Sequence, residues 1–103
     1  VYIEKGDYKL ALEKYQEALN YFVEIQDKEG IAKSVSNIGN VYFYEGNYKA
    51  ALDYYIKSYK INMEEDNKLD IIASLLHIGK VYVKMGRLDE GLEYCILSLD
   101  KAW

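Results

Sequence analysis

The sequence predicts an all-α fold of antiparallel helix pairs stacked one on the next, and three observations predict it. Shifted by about 40 residues, a period of the size that stacked repeats have, the chain lies on itself: Val1-Tyr2 falls on Val41-Tyr42 and Val81-Tyr82, Gly6 on Gly46 and Gly86, and Leu12 on Leu52 and Leu92. Roughly a third of the overlapping positions are identical, and self-similarity at such a period marks a stacked repeat. Within each copy the apolar residues recur at spacings of three and four, the period of a helix with one buried face. Finally, the 103 residues hold no proline and only seven glycines, which leaves little material for long loops.

Taken in order, Val1 to Lys5 read as the stub of a first kind of helix, A, and Gly6 follows it where a left-handed C-terminal cap favours glycine. Asp7 stands where the next helix wants an N-cap. A second kind, helix B, runs from Tyr8 to Gln26 with Tyr8, Ala11, Leu12, Tyr15, Leu19 and Phe22 on one face. The polar turn Asp27-Lys28-Glu29-Gly30 leads into A at Ile31 to Glu45, whose stripe is Ile31, Val35, Ile38, Val41 and Tyr42. Gly46 and Asn47 repeat the cap signals, and B follows at Tyr48 to Glu65 with Tyr48, Ala51, Leu52, Tyr55, Tyr59 and Met63. After Asp66-Asn67-Lys68, A spans Leu69 to Met85 on Ile71, Leu75, Ile78, Val81, Tyr82 and Met85. Gly86 ends it, Arg87 departs from the capping pattern, and a last B covers Leu88 to Ala102. Turns this short force antiparallel neighbours. The chain therefore divides into residues 1–31, the second part of a truncated repeat, 32–71, a complete repeat, and 72–103, the last repeat, all of one array. An opening on the back half of a helix, without an initiator Met, is expected of a piece of something longer.

Gly39 and Gly79 lie inside helix A, where glycine costs about 1 kcal/mol relative to alanine. Their recurrence implies close approach of two backbones, with Ala11, Ala51 and Gly91 as the small residues of the facing B stripes.

The bulk numbers exclude several functions. The formal charge of −4 argues against a sequence-independent hold on nucleic acid, which draws most of its affinity from a basic surface. Cys95 is the only cysteine and His77 the only histidine, so there is no intrachain disulfide, no cysteine-rich metal site and no Cys-His pair, since the two fall on different helices with different facings. Cys95 occupies an aromatic core position and reads as a small buried hydrophobe. Glu64, Glu65, Asp66 and Asp70 lack the alternating oxygens and glycine of a calcium loop. No catalytic residue, metal or cofactor is expected. No apolar run of about 18 residues exists to span a membrane, and a lone cysteine without a signal peptide fits the cytoplasm.

Val35-x-x-Ile38-Gly39-x-x-Tyr42 followed by Ala51-x-x-x-Tyr55 resembles the tetratricopeptide repeat family. Leu75-x-x-Ile78-Gly79-x-x-Tyr82 with Gly91-x-x-x-Cys95 fits more loosely, and Ala11-x-x-x-Tyr15 supplies a further B half. The resemblance covers the whole chain, though the repeat is of a longer variety, about 40 rather than about 34 residues, and no proline closes it. It implies a right-handed superhelix with the A helices along its concave face, and an extended or helical peptide from a partner protein bound there. The family's carboxylate clamp for chaperone tails does not carry over: Asn40 follows Gly39 suitably, but Ser36 stands at a lysine position, and Ala73 and His77 at the remaining polar ones.

Opposite its apolar stripe the first full A helix carries Lys33, Ser36, Asn37, Asn40, Phe43, Tyr44 and Asn47, where the next carries Ala73, Leu76, His77, Lys80, Val83, Lys84 and Arg87. The core stripes are alike and these sets are not, so this surface is where specificity for a partner resides. Asn37 and Asn40 offer a donor and an acceptor each to a peptide main chain. Phe43 and Tyr44 offer apolar contact, unless Phe43 rests on the neighbouring repeat. Lys80, Lys84 and Arg87, at spacings of four and three, form a basic ridge for an acidic side chain or terminal carboxylate. The expected partner-binding set is Lys33, Asn37, Asn40, Phe43, Tyr44, His77, Lys80, Lys84 and Arg87.

Three readings fit these features: a non-catalytic protein–protein interaction module, a peptide-sensing regulatory domain whose ligand tightens the superhelix and acts on an attached signalling effector, or a purely structural piece that only stacks against more repeats. Helix B beside the Val1 to Lys5 stub and the last helix B each lack a covering helix on one side. Self-association or adjacent repeats are expected there.

Overall fold

A computed structural model describes residues 7–102, and the Val1 to Lys5 stub lies outside them. Five helices follow one another: α1 (Tyr8–Glu24), α2 (Lys28–Glu45), α3 (Tyr48–Glu64), α4 (Lys68–Lys84) and α5 (Leu88–Ala102). Each packs chiefly on its neighbour in sequence, α1 on α2 through to α4 on α5, the arrangement that short turns impose. The chain is an all-α helical-repeat solenoid.

The turns have a common construction that recurs every half-repeat. Gln26 (φ 58°), Gly46 (86°), Asp66 (53°) and Gly86 (81°) all adopt the left-handed conformation. The amide after each then donates back to the helix it ends: Asp27 N to Phe22 O (2.9 Å), Asn47 N to Tyr42 O (2.9 Å), Asn67 N to Asn62 O (3.1 Å) and Arg87 N to Tyr82 O (2.9 Å). This closes orphan carbonyls at four helix ends. Asp27 and Asn47 cap the following helices, accepting from Gly30 N at 3.1 Å and Ala50 N at 3.3 Å. The cap expected of Asp7 does not form through its side chain.

Helix α2 begins at Lys28, ahead of the expected Ile31, and takes Gly30 into its first turn. Gly30 is no turn glycine: a Cβ there would run into the Phe22 ring. One repeat on, the pair Phe22/Gly30 is exchanged for Asn62/Asp70 and the contact becomes polar. Asn62, 4% exposed, donates to Ser74 Oγ at 2.9 Å and to the Asp70 carbonyl at 3.4 Å. Hydroxyls tie α3 and α5 each to the helix before it, Ser58 to Ala32 O at 3.0 Å and Ser98 to Ile72 O at 3.3 Å.

The core runs through the stack as Phe43, Ala51, Tyr55, Ile78 and Val81, with Leu52, Ile56 and Tyr59 packed against it. The mid-helix glycines do sit at close crossings. A Cβ on Gly79 would stand 3.0 Å from the Gly91 carbonyl and 3.1 Å from Cys95 Sγ. Gly39 faces the ring of Tyr55 and the Cβ of Tyr54 rather than Ala51, with the nearest carbon at 2.9 Å. Cys95 is half-buried rather than fully enclosed.

Candidate functional site

Helices α2 and α4 lie side by side over α3, and the trough between them holds a pocket of about 250 Å³. Lys33, Asn37 and Asn40 of α2 meet His77 of α4 at its walls, so four residues expected to bind a partner come together. Ser58 and Asn62 of α3 form part of its floor. Polar residues inside the otherwise apolar B stripe, where the first copy has Ala18 and Phe22, are the sequence signal that identifies this floor.

Tyr55 organises the pocket from beneath. Its ring is fully buried, its hydroxyl donates to Asn40 Oδ1, and the His77 imidazole stacks on it with centroids 4.9 Å apart. Burial raises the Tyr55 phenol well above its ordinary range, with Tyr44 adding to the effect, so the hydroxyl remains a donor. Asn40 Oδ1 is therefore engaged with the core, while its amide NH₂ makes no hydrogen bond among the described residues. Burial also holds His77 below its ordinary value, and the nearby Lys80 charge adds to this. The imidazole is neutral at pH 7, with one donor and one acceptor nitrogen.

The remaining expected residues are arranged differently. Phe43 is 8% exposed and belongs to the core between helix pairs, so it is not a groove contact. Its ring instead carries the Lys80 ammonium 4.4 Å from its centroid, a cation–π contact. Burial lowers the Lys80 pKa, and Lys84 lowers it further. Tyr44 is half exposed beside Phe43, and its carbonyl accepts from Tyr8 Oη at 3.0 Å. Lys84 is exposed in the last turn of α4. Arg87 does not extend a basic ridge with the two lysines. Both carboxylate oxygens of Glu90 accept from its guanidinium, which also lies 5.0 Å over Tyr82, a ring stacked on Tyr94 of α5. Lys33 is paired with Glu29 at 3.2 Å across solvent, an exposed pair that a ligand can replace at little cost.

Among the described residues no group of three or more His, Cys, Asp or Glu is placed to hold a metal ion. No described helix is long and apolar enough to cross a membrane. The buried side-chain polar atoms of the described residues all have hydrogen-bond partners. The trough thus offers a row of hydrogen-bonding side chains on a fixed floor.

No curated protein matches the sequence. Two family models do, both described as tetratricopeptide repeat, one over residues 1–65 and the other over residues 72–100. The larger match spans more than half of the sequence and covers α1 to α3, the smaller covers most of α4 and most of α5, and the chain belongs to the tetratricopeptide repeat family.

Proposed function

We propose that this chain holds a peptide segment of a partner protein in the trough between α2 and α4, and that it does so without catalysis. Tetratricopeptide repeats generally mediate protein–protein interaction. The observation that carries the finer reading is the pocket in which Lys33, Asn37, Asn40 and His77 converge on a floor fixed by Tyr55. Asn37 offers both halves of its amide, Asn40 its NH₂, and neutral His77 one donor and one acceptor. Such a set suits the amides and carbonyls of a peptide main chain or an uncharged polar side chain. Lys80 and Lys84 add positive charge at one end, favouring an acidic residue of the ligand there. With residues 32–71 as the complete repeat, the trough is the seam between that repeat and the next.

Net negative charge speaks against nucleic acid as the partner, and the lone cysteine fits a reducing, cytoplasmic setting. The test is a peptide-library pull-down with the wild-type chain and with the double variant Asn37→Ala/Asn40→Ala. Loss of two to three hydrogen bonds at about 1 kcal/mol each lowers affinity roughly thirty- to a hundred-and-sixtyfold. Peptides that bind both proteins equally would refute the groove reading.

A further inference from the structure

The floor of the pocket between α2 and α4 holds a polar atom that the fold positions and does not use. Asn62 of α3 is 4% exposed and lines the pocket. Its amide nitrogen is fully engaged, donating to Ser74 Oγ at 2.9 Å, to the Asp70 carbonyl at 3.4 Å and to Ser58 Oγ at 3.5 Å. A backbone carbonyl can only accept, so the nitrogen is the atom on the Asp70 side and the orientation of the amide is fixed. Ser58 is held in turn, donating to Ala32 O at 3.0 Å. Asn62 Oδ1, by contrast, makes no hydrogen bond among the described residues. Enclosed side-chain polar atoms there all have partners, so this oxygen is not enclosed, and the opening that Asn62 lines is the pocket.

This floor belongs to one seam and not to the repeat. Between α1 and α2 the same two positions are Phe22 and Gly30, and the ring lies where a Cβ on Gly30 would stand. One repeat later the position of Asn62 is taken by Ala102. Burying a carboxamide in place of an apolar side chain costs free energy unless its hydrogen bonds are made. Ser58, Ser74 and Asp70 satisfy the NH₂ half, and the oxygen half is left for whatever enters the pocket.

The walls define what that is. Asn37 and the NH₂ of Asn40 make no hydrogen bond among the described residues and supply donors. The charged residues that line the pocket, Lys33 and Asp70, are one of each sign, so a charged ligand group leaving water finds no net compensation. The volume of about 250 Å³ is far more than one water needs. A group that is uncharged, donates at one atom and accepts at another is a primary carboxamide. We infer that the pocket selects a glutamine or asparagine side chain of the bound polypeptide, whose NH₂ donates to Asn62 Oδ1 and whose carbonyl accepts from the amide of Asn37 or Asn40. This requires a peptide to lie in the trough, as proposed above, and makes Asn62 a specificity-determining residue positioned by Ser58 and Ser74.

Binders recovered from a random peptide library on the wild-type chain then share a glutamine or asparagine at one position. In calorimetry with the wild-type chain, changing that residue of the peptide to methionine, glutamate or lysine weakens binding about tenfold or more. Methionine and glutamate leave Asn62 Oδ1 without a donor, and glutamate and lysine bring in an uncompensated charge. Asn62→Phe/Asp70→Gly installs the pair that Phe22 and Gly30 form in the same fold and closes the floor with a ring. It binds the glutamine and methionine peptides within about twofold of each other, the preference having gone with the acceptor. The peptide-side changes need only the wild-type chain, so they decide the matter even if the double variant does not fold. Suppose the recovered peptides are lost with Asn37→Ala/Asn40→Ala but share no carboxamide, tolerate methionine in its place, or share a charged residue there. The carboxamide pocket is then overturned, and the reading of the trough as a peptide groove stands. A folded Asn62→Phe/Asp70→Gly that still prefers glutamine overturns it as well. If no peptide depends on Asn37 and Asn40, both fall together.

Discussion

Gly91 is the position where the α4–α5 crossing makes its most exacting demand. A Cβ at Gly91 would stand 2.6 Å from Val83 Cγ2 and 2.9 Å from the Gly79 carbonyl oxygen, whereas carbon atoms pack best at about 3.5–4.0 Å. The Val83 side chain is near the surface and can rotate. The Gly79 carbonyl belongs to the backbone of α4 and can retreat only if the helices separate. Overpacking of this kind costs about 1–3 kcal/mol, and replacing a helical glycine by alanine returns at most about 1 kcal/mol. Gly91→Ala is therefore expected to destabilise the chain by about 1–2 kcal/mol, a fall in Tm of about 5–15 °C for a domain of this size. Thermal unfolding followed by far-UV circular dichroism measures it. Adding Val83→Ala recovers only part of the loss, because the carbonyl contact remains. A Tm for Gly91→Ala at or above that of the wild type, or full rescue by Val83→Ala, would show that the two backbones are not held in contact at this crossing. Ala51 occupies the same place on α3 and is fully buried, so the demand belongs to the α4–α5 crossing and not to the repeat as such.

Two further outcomes follow from the same geometry. Gln26 and Asp66 hold the left-handed conformation with side chains attached, which costs about 1–2 kcal/mol per residue. Gln26→Gly and Asp66→Gly should each raise stability in urea titration by about 0.5–1 kcal/mol after the entropy that glycine adds to the unfolded chain. Gly46→Ala should lower it by about 1 kcal/mol. His77 has a folded pKa below its ordinary 6.5, first through burial and then through Lys80, so the unfolded chain binds its proton more readily. Its contribution to stability is complete above pH 6.5 and is lost as the pH falls from there through the folded pKa. His77→Gln should flatten the fall in urea-unfolding stability between about pH 7 and 5, and an unchanged difference between those pH values would contradict the burial assigned to the imidazole.

The stripes, turns and helix order are legible in the sequence because each is written in one-dimensional spacing. Ile38, Val41 and Tyr55 recur with the helical period and with the repeat, and the four helix ends fall half a repeat apart. What spacing does not encode is which neighbour a side chain meets across the stack. Phe43 lies on the surface side of its own helix wheel, yet α4 covers it, so it belongs to the core. Arg87 continues the spacing of Lys80 and Lys84, but the chain has turned at Gly86 and Glu90 of the next helix captures it. Glycine ends helices more often than it starts them, so Gly30 reads as part of a turn, and only the Phe22 ring against it explains its place inside α2.

Asn40 and Asn37 illustrate how far core and groove are coupled. The two stand three residues apart on one helix and both line the pocket, but Asn40 is bonded to Tyr55, whose ring supports His77 and whose neighbours Ala51, Ile78 and Val81 are core. Its orientation is set by the packing that builds the stack, which on the proposed function would leave little entropy to be lost on binding. The Asn37 side chain makes no hydrogen bond among the described residues. The groove thus combines one donor fixed by the fold with one adaptable amide a turn away. On the proposed function, such a pairing would hold the register of a bound chain at Asn40 while Asn37 accommodated variation in its sequence.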